Sequence, residues 1–274
     1  MRLAPETFDR LRVRIQNLCG LAIGADKEYL VRDRLEPLLK RRAWNTFEQL
    51  AERLELARDT GLADEVVEAI VTHETSFFRD PQVWEALRRR VLPELLAQGR
   101  RARIWSAATS TGQEAYSLAM LAQEVAEAQP APGAMAERCS ILATDISDPA
   151  IQVGMTAAYE PREIDRGVSA ARKNRFFHES GKHWRADESL RRMIEFRRLN
   201  LAAPLPRFGA FDLICCRNLM IYYSVETRRA LCEQFHASLA DGGWLLLGAA
   251  ENLYGISDRF ESEMIEGALM FHKA

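Results

Sequence analysis

ARIWSAATSTGQEAYSLAMLAQEVAEA (102–128) and CSILATDI (139–146) are the most informative stretches of the chain. The first stretch opens with the short apolar run ARIWSA (102–107), and the second consists of one such run. Turn residues bound both runs, and a longer segment with helical spacing lies between them. This pattern is typical of a strand–helix–strand unit. Similar apolar runs follow: FDLICCRN (211–218), GGWLLLGA (242–249) and ALMFHK (268–273). Strands that alternate with helices predict a parallel sheet covered by helices on both faces.

The part of the chain before this region contains only helical patterns, so we predict an all-helical domain over residues 1–72. Its first helix should end at Gly20. The second helix, centred on residues 31–39, contains Pro37, which costs about 3 kcal/mol in a helix interior and predicts a kink or a break. Two further helices are predicted over residues 47–54 and 62–70.

Residues 73–100 are predicted to form a connector and a linking helix, followed by a sheet domain over residues 101–274. The stretch FFHESGKHWRADESLRRMIEFRRL (176–199) has turn residues between short alternating runs, which predicts a small antiparallel insertion. The predicted fold class is therefore α/β, with an N-terminal all-helical domain and a Rossmann-like domain that carries a small antiparallel β-subdomain.

Composition excludes several classes of protein. The 37 Lys and Arg residues nearly balance the 39 Asp and Glu residues, giving a net charge of −2, which argues against nucleic-acid binding through bulk positive charge. No apolar run approaches the ~20 residues of a membrane span, and the N-terminus has no signal-peptide core, so we expect a cytoplasmic protein without membrane insertion. The five cysteines form neither a disulfide framework nor a CxxC metal site.

Polar residues follow three predicted strands, at the edge where open parallel sheets bind ligands. The turn SAATSTGQEAYS (106–117) has a single glycine, Gly112, so it lacks the GxGxxG motif, which argues against dinucleotide binding. Asp145 can accept the two ribose hydroxyls of an adenosine ligand, or it can cap the next helix. Arg217 and Asn218 can contact a ligand, or they can cap the backbone at the end of their own strand. Together these features suggest a site for S-adenosylmethionine (SAM).

Four motifs carry a resemblance to a known family: THETSFFRD (72–80), IWSAATSTGQEAYS (104–117), ATDIS (143–147) and FDLICCRNLMIYY (211–223). In this order and spacing they resemble the CheR family of chemoreceptor glutamate O-methyltransferases, and the resemblance covers almost the whole chain. It implies a SAM-dependent methyltransferase that needs no metal and releases S-adenosylhomocysteine (SAH). The implied reaction forms methyl esters on glutamates of chemoreceptor cytoplasmic helices during chemosensory adaptation.

The resemblance also implies roles for individual residues. The implied cofactor-binding residues are His73, Thr75, Arg79, Glu114, Asp145, Asn200, Leu201, Arg217 and Asn218. Arg79 and Tyr222 are the implied catalytic residues: Arg79 would orient a carboxylate near the reacting centre, and Tyr222 would hydrogen-bond the incoming carboxylate. The structural alternative for Arg79 is an ion pair with Asp80 or Glu74. His73 stands where many relatives carry asparagine.

The implied partner is the acidic cytoplasmic domain of a methyl-accepting chemoreceptor, which would recruit the enzyme to membrane receptor arrays. The second helix offers positive residues for docking: Arg32, Arg34, Lys40 and Arg41. The alternative is a solvated helix face with ordinary salt bridges to Asp33 and Glu36. The predicted hairpin from Gly181 to Met193 is short for a family member that grips a receptor tail, so we expect an enzyme that acts without such a tether. We also expect a monomer.

Two other functions remain open from the sequence. A nucleic-acid adenine methyltransferase usually has prolines at the strand end, and NLMIYY (218–223) has none. A signalling adaptor that binds SAM without transfer would not need the polar residues retained here. Transfer of a labelled methyl group distinguishes the adaptor from the enzymes.

Overall fold

The N-terminal part of the chain is all-helical, as predicted. The computed structural model describes residues 1–56, 60–128 and 138–273. The helical domain consists of α1 (Pro5–Cys19), α2 (Glu28–Arg41), α3 (Phe47–Leu56) and α4 (Thr60–Ile70). Helix α1 ends at Gly20, whose φ of +80° is left-handed and whose Cα has no room for a side chain, because a Cβ would lie 2.7 Å from the Cβ of Ala202.

Helix α2 continues through Pro37, so the break that the sequence suggested does not occur. Val31 and Leu35 before the proline, and Leu38 and Leu39 after it, are all fully buried in the core of the helical domain. Burying each such side chain stabilises the fold by roughly 1.5–3 kcal/mol, which outweighs a proline cost of about 3 kcal/mol.

The rest of the chain alternates strands with helices. Its strands are β1 (Ala102–Ala107), β2 (Cys139–Asp145), β3 (Ala158–Tyr159), β4 (Phe177–Ser180), β5 (His183–Ala186), β6 (Ile194–Arg198), β7 (Phe211–Cys216), β8 (Leu239–Leu247), β9 (Phe260–Ile265) and β10 (Ala268–Lys273). Its helices are α5 (Pro81–Ala86), a π-helical turn (Leu87–Val91), α6 (Leu92–Ala97), α7 (Gln113–Glu127), α8 (Asp148–Thr156), α9 (Pro161–Asp165), α10 (Ala170–Phe176), α11 (Glu188–Arg191), a 3₁₀ turn (Met220–Tyr222) and α12 (Val225–Ser238).

Seven strands form one sheet in the order β6-β2-β1-β7-β8-β10-β9. The strands from β6 to β8 are parallel, and β10 and β9 close the sheet as antiparallel strands. The chain leaves β1 toward β2 on one side, while β7 returns on the other side. This reversal of strand order creates a crevice beyond the carboxyl ends of β1 and its neighbours, where such sheets bind ligands.

A small antiparallel sheet, β3-β5-β4, is also present, which confirms the predicted fold class. The predicted limits of the insertion, residues 176–199, are wrong at both ends: β3 pairs with β5 in the small sheet although it precedes residue 176, and β6 pairs in parallel with β2 in the large sheet. The mistake has a physical cause. Strand β6 lies at the sheet edge, where Ile194 and Phe196 pack on the core while Glu195 and Arg197 face outward, and this alternation looks like that of a hairpin strand.

Separate apolar clusters occupy the helical domain and the two faces of the large sheet. Cys215 and Cys216, in the middle of the sheet, are buried on opposite faces. Among the described helices, none combines the length and the apolar character that crossing a membrane requires.

Candidate cofactor and methyl-transfer site

A cavity lies at the carboxyl ends of the parallel strands, between the sheet and the helical domain. Most of the predicted site residues meet in its lining: His73, Thr75, Arg79, Glu114, Asp145, Leu201, Arg217, Asn218 and Tyr222. The helical domain contributes the other wall through Leu21, Ala22, Ile23, Lys27 and Leu30, which the sequence did not indicate. The site is therefore built by two domains rather than by the sheet alone.

Asn200 does not line this cavity. Its Nδ2 donates to the carbonyl of Leu18 at 2.7 Å, and its Oδ1 accepts from the backbone N–H of Ala202 at 3.0 Å. The side chain thereby joins the end of α1 to the sheet domain, and its neighbour Leu201 provides the cavity wall.

Asp145 ends β2 and faces the turn after β1. Its Oδ2 accepts from the backbone N–H of Ser110 at 2.7 Å, and its Oδ1 accepts from the backbone N–H of Ser147 at 3.0 Å. The alternative role as a helix cap is wrong, because the Ser147 hydroxyl caps α8 by accepting from Ala150 N–H at 3.1 Å. Burial raises the pKa of Asp145, while these backbone N–H groups oppose the rise. Each carboxylate oxygen keeps lone-pair capacity for a ligand hydroxyl.

Glu114 and Arg217 form a buried pair on the other side of the cavity. Glu114 accepts from Ser106 Oγ at 2.8 Å and from Arg217 Nη1 at 3.2 Å. Burial raises the pKa of Glu114, and the Arg217 charge opposes this rise. Arg217 also donates through Nη2 to Asp80 at 2.7 Å.

The Nε of Arg217 has no hydrogen-bond partner within the described residues although it is buried. An unpaired buried donor costs about 1–3 kcal/mol, and a ligand acceptor beside this Nε would remove that cost. A cofactor with a methionine end fits this wall, since its carboxylate can accept from Arg217 and its ammonium can donate to Glu114. With Asp145 placed for a ribose, the residues present fit SAM.

The connector holds Arg79 through its backbone. The Arg79 carbonyl accepts from Trp84 Nε1 and from Arg217 Nη2, both at 2.8 Å. The guanidinium donates to the carbonyl of Glu74 at 3.2 Å and forms no ion pair with a described residue. The alternative that Arg79 pairs with the carboxylate of Asp80 or Glu74 is therefore wrong, since Asp80 pairs with Arg217 and Glu74 with Arg166.

Tyr222 lies at the mouth of the cavity with 48% of its surface exposed. Its carbonyl accepts from Ala22 N–H at 2.8 Å, and Tyr223 forms a β-bridge with Leu21, so the helical domain braces this loop. Glu251, which the sequence reasoning missed, holds the same loop: its carboxylate accepts from the backbone N–H groups of Asn218 at 2.7 Å and Ile221 at 3.1 Å. Glu251 follows β8, the neighbour of β7, and this position after a strand was the feature of the sequence that could have identified it.

Left-handed backbone is concentrated around the cavity. Asp80, Ala108, Ser110 and Asn218 have φ between +53° and +62° although none is glycine. Each such residue costs on the order of 1–3 kcal/mol and persists only where its surroundings impose it. Two of these residues use their backbone N–H groups at the site: Ser110 donates to Asp145 and Asn218 donates to Glu251.

A closed ring of hydrogen bonds joins the two domains beside Asp145. Glu68, on α4, contacts His73 Nε2 at 3.2 Å and accepts from Ser147 Oγ at 2.6 Å. Ser147 N–H donates to Asp145, Asp145 accepts from Ser110 N–H, and Ser110 Oγ donates to the carbonyl of His73 at 3.1 Å. Sequence reasoning missed Glu68, because its partners lie in other elements. We call these residues the Glu68 ring.

The predicted docking residues all lie on α2. Arg34 and Arg41 are exposed; Arg34 reaches Thr72 Oγ1 at 3.3 Å, and Arg41 makes no ion pair with a described residue. Arg32 pairs with Asp33 at 3.1 Å and Lys40 with Glu36 at 2.8 Å. The salt-bridge alternative thus describes Arg32 and Lys40, while Arg34 and Arg41 remain open to a partner.

No group of three or more His, Cys, Asp or Glu side chains within residues 1–56, 60–128 and 138–273 is arranged to hold a metal ion.

Comparison with known sequences identifies both domains. Residues 73–268 match the family described as CheR methyltransferase, SAM binding domain, and residues 6–71 match the CheR methyltransferase all-alpha domain. A chemotaxis protein methyltransferase 1 of Pseudomonas aeruginosa is 37% identical over 95% of both chains. One of Vibrio cholerae is 37% identical over 90% of this chain and 89% of its own. These matches confirm the predicted family and cofactor, and the chain belongs to the CheR family of SAM-dependent chemotaxis methyltransferases.

Proposed function

We propose that this enzyme methylates glutamate side chains on the cytoplasmic helices of chemoreceptors, and that receptor binding recruits it to membrane arrays. The observation that carries the proposal is the pair Arg79 and Tyr222 at the open side of the cofactor cavity. One N–H of the Arg79 guanidinium donates to the carbonyl of Glu74, and its other N–H groups can donate to a carboxylate. The exposed Tyr222 hydroxyl can donate to the same group.

This chemistry needs alignment rather than a strong base. A glutamate carboxyl group titrates near 4.3 in water, so it is already an ionised nucleophile at neutral pH. Bound SAM supplies the electrophilic methyl group on a positively charged sulfur. Arg79 would hold the carboxylate in a fork geometry that lysine cannot reproduce, and Tyr222 would fix its second oxygen. Asp145 would bind the ribose, while Glu114 and Arg217 would bind the methionine end, with Thr75, His73, Leu201 and Asn218 completing the wall.

The decisive experiment is transfer of labelled methyl from SAM to membranes that contain chemoreceptors. We expect label on the receptor that mild base releases, because carboxyl methyl esters are base-labile. Label that survives base, or that appears on nucleic acid instead, would contradict the proposal. Receptors with the modified glutamates replaced by alanine serve as the control.

Charge reversal at both Arg34 and Arg41 should raise the receptor KM about 10-fold, because two unpaired positive charges on α2 would no longer attract an acidic helix. Added salt should weaken receptor methylation by the wild type more than by the variant. The matched control reverses Arg12, which is paired with Asp9 on α1. If the double variant kept the wild-type receptor KM, α2 would not be the docking surface.

Glu68→Ala should weaken SAH affinity about 10-fold, since losing the Glu68 ring frees His73, Ser147 and, through Ser147, Asp145. Isothermal titration with SAH measures this effect directly. Glu68→Gln should largely restore affinity, because its amide oxygen can still accept from Ser147. Asp64→Ala is the matched control: Asp64 lies one turn earlier on α4 and also bridges the domains, through Arg198, but it is outside the ring. If both alanine variants lost the same SAH affinity, Glu68 would act only as a contact between the domains and not through the Glu68 ring.

A further inference from the structure

A second cavity opens at the opposite edge of the large sheet from the cofactor site. It has a volume of about 600 Å³ and lies at the amino ends of β1, β2, β6 and β7. Five arginines line it: Arg101, Arg103, Arg192, Arg197 and Arg207. We call it the arginine pocket. The cofactor cavity lies at the carboxyl ends of the strands, and the two cavities share no lining residue.

The charge of the arginine pocket is opposite to that of the chain. Glu195 is the one acidic side chain in its described lining, so five arginines and one glutamate leave a formal charge of +4, whereas the whole chain carries −2. Like charges around a concave surface repel each other and focus a positive potential into the cavity. An anion with several negative charges would relieve that repulsion.

Two of the arginines are held in place by neighbouring aromatic residues and carbonyls. Arg103 donates to the carbonyls of Phe208 at 2.7 Å and Ala210 at 3.0 Å, and its Cζ lies 4.7 Å from the ring centre of Phe211. Arg197 forms an ion pair with Glu195 at 2.5 Å, and its Cζ lies 5.8 Å from the Phe208 ring centre. Guanidinium groups fixed in this way lose little entropy when they bind a ligand.

The other arginines can turn toward a ligand at small cost. Arg101 and Arg207 are exposed, and neither forms an ion pair or a side-chain hydrogen bond within the described parts of the chain. Arg192 pairs only with Glu188, one turn away on the surface. Such exposed pairs contribute about 0–1 kcal/mol, so a phosphate can replace the glutamate.

We propose that the arginine pocket binds a soluble phosphate ester of nucleotide size that carries at least two phosphate groups. Guanidinium forks match phosphate oxygens in geometry and charge, which explains arginine rather than lysine at all five positions. The volume is that of a small-molecule site and exceeds the needs of a single inorganic ion. The half-buried Phe208 ring, which also lines the pocket, provides an apolar surface for the organic part of the ester.

The test is isothermal titration of the full chain with inorganic pyrophosphate and, separately, with ADP at physiological salt. The protein is first saturated with SAH, so that the adenine of ADP cannot enter the cofactor cavity. We expect both probes to bind, with ADP the tighter because of its organic part. The double variant Arg101→Ala/Arg207→Ala should bind both at least about 10-fold more weakly. Both residues are exposed, so this variant should keep the wild-type melting temperature.

The double variant Arg12→Ala/Arg162→Ala removes one half-buried and one exposed arginine outside the arginine pocket and should bind both probes like the wild type. The proposal is overturned if neither probe binds at millimolar concentration, or if Arg101→Ala/Arg207→Ala leaves binding unchanged. Binding to phosphatidylglycerol vesicles without binding to either soluble probe would also overturn it, because it would assign the pocket to a membrane surface.

Discussion

Arg79→Ala should lower the rate of methyl transfer to receptor about 100-fold at saturating SAM, while SAH affinity stays within about 3-fold of the wild type. The reason is the position of Arg79: its backbone carbonyl is held by Trp84 and Arg217, while its guanidinium is free of ion pairs among the described residues. Arg79→Lys should recover only a small part of the rate, because lysine keeps the charge but loses the fork.

Single-turnover methylation with labelled SAM measures this rate, and titration with SAH measures cofactor binding in the same protein. Arg166→Ala is the matched control, since Arg166 pairs with the Glu74 carboxylate at 3.3 Å but does not line the cofactor cavity. We expect less than about a 2-fold change there. A folded Arg79→Ala enzyme that binds SAH and methylates receptor at the normal rate would refute the role of Arg79.

Asp145→Ala should weaken binding of SAM and SAH about 100-fold, equivalent to about 2.7 kcal/mol. Two effects add. The variant loses a carboxylate that would bind the ribose, and hydrogen bonds to charged groups contribute about 1.5–3 kcal/mol. It also releases the N–H groups of Ser110 and Ser147, which shape the cavity.

Titration with SAH measures this loss, and thermal unfolding shows whether the fold survives. Asp148→Ala is the control, because Asp148 is exposed, lies three residues away and contacts Arg198 only at 3.7 Å. Asp145→Ala with near wild-type affinity would show that the carboxylate does not bind the cofactor.

The sequence predicted the strands well where apolar runs are bounded by turn residues. The limits of β1 and β10 match the predicted runs, and the other predicted runs fall on strands. Strand β9 was missed because most of FESEMI (260–265) is exposed and polar, which gives no apolar run. Strand β6 was assigned to the wrong sheet, because its alternation does not reveal its neighbour.

For the candidate site, the rule that open parallel sheets bind ligands beyond their strand ends located three residues. Asp145 ends β2, and Arg217 and Asn218 follow β7. This rule could not choose between ligand binding and capping, because both uses place the same residue type at the same point. The contacts decided this for Asp145, since Ser147 takes the cap. They likewise decided that Arg79 does not pair with the carboxylate of Asp80 or of Glu74.

The sequence by itself determined the helices of the N-terminal domain, the strands with apolar runs, the two-domain division and the polar residues at strand ends, because periodicity and turn residues act over a few positions. Only the tertiary structure decided how the domains share the site. Asn200 bonds to Leu18, 182 residues away, and Glu68 reaches Ser147, 79 residues away. Such contacts depend on how the surfaces of distant elements pack, and the spacing of residues along the chain does not predict that packing. The arginine pocket arises in the same way, from residues scattered between 101 and 211 that the sheet brings to one edge.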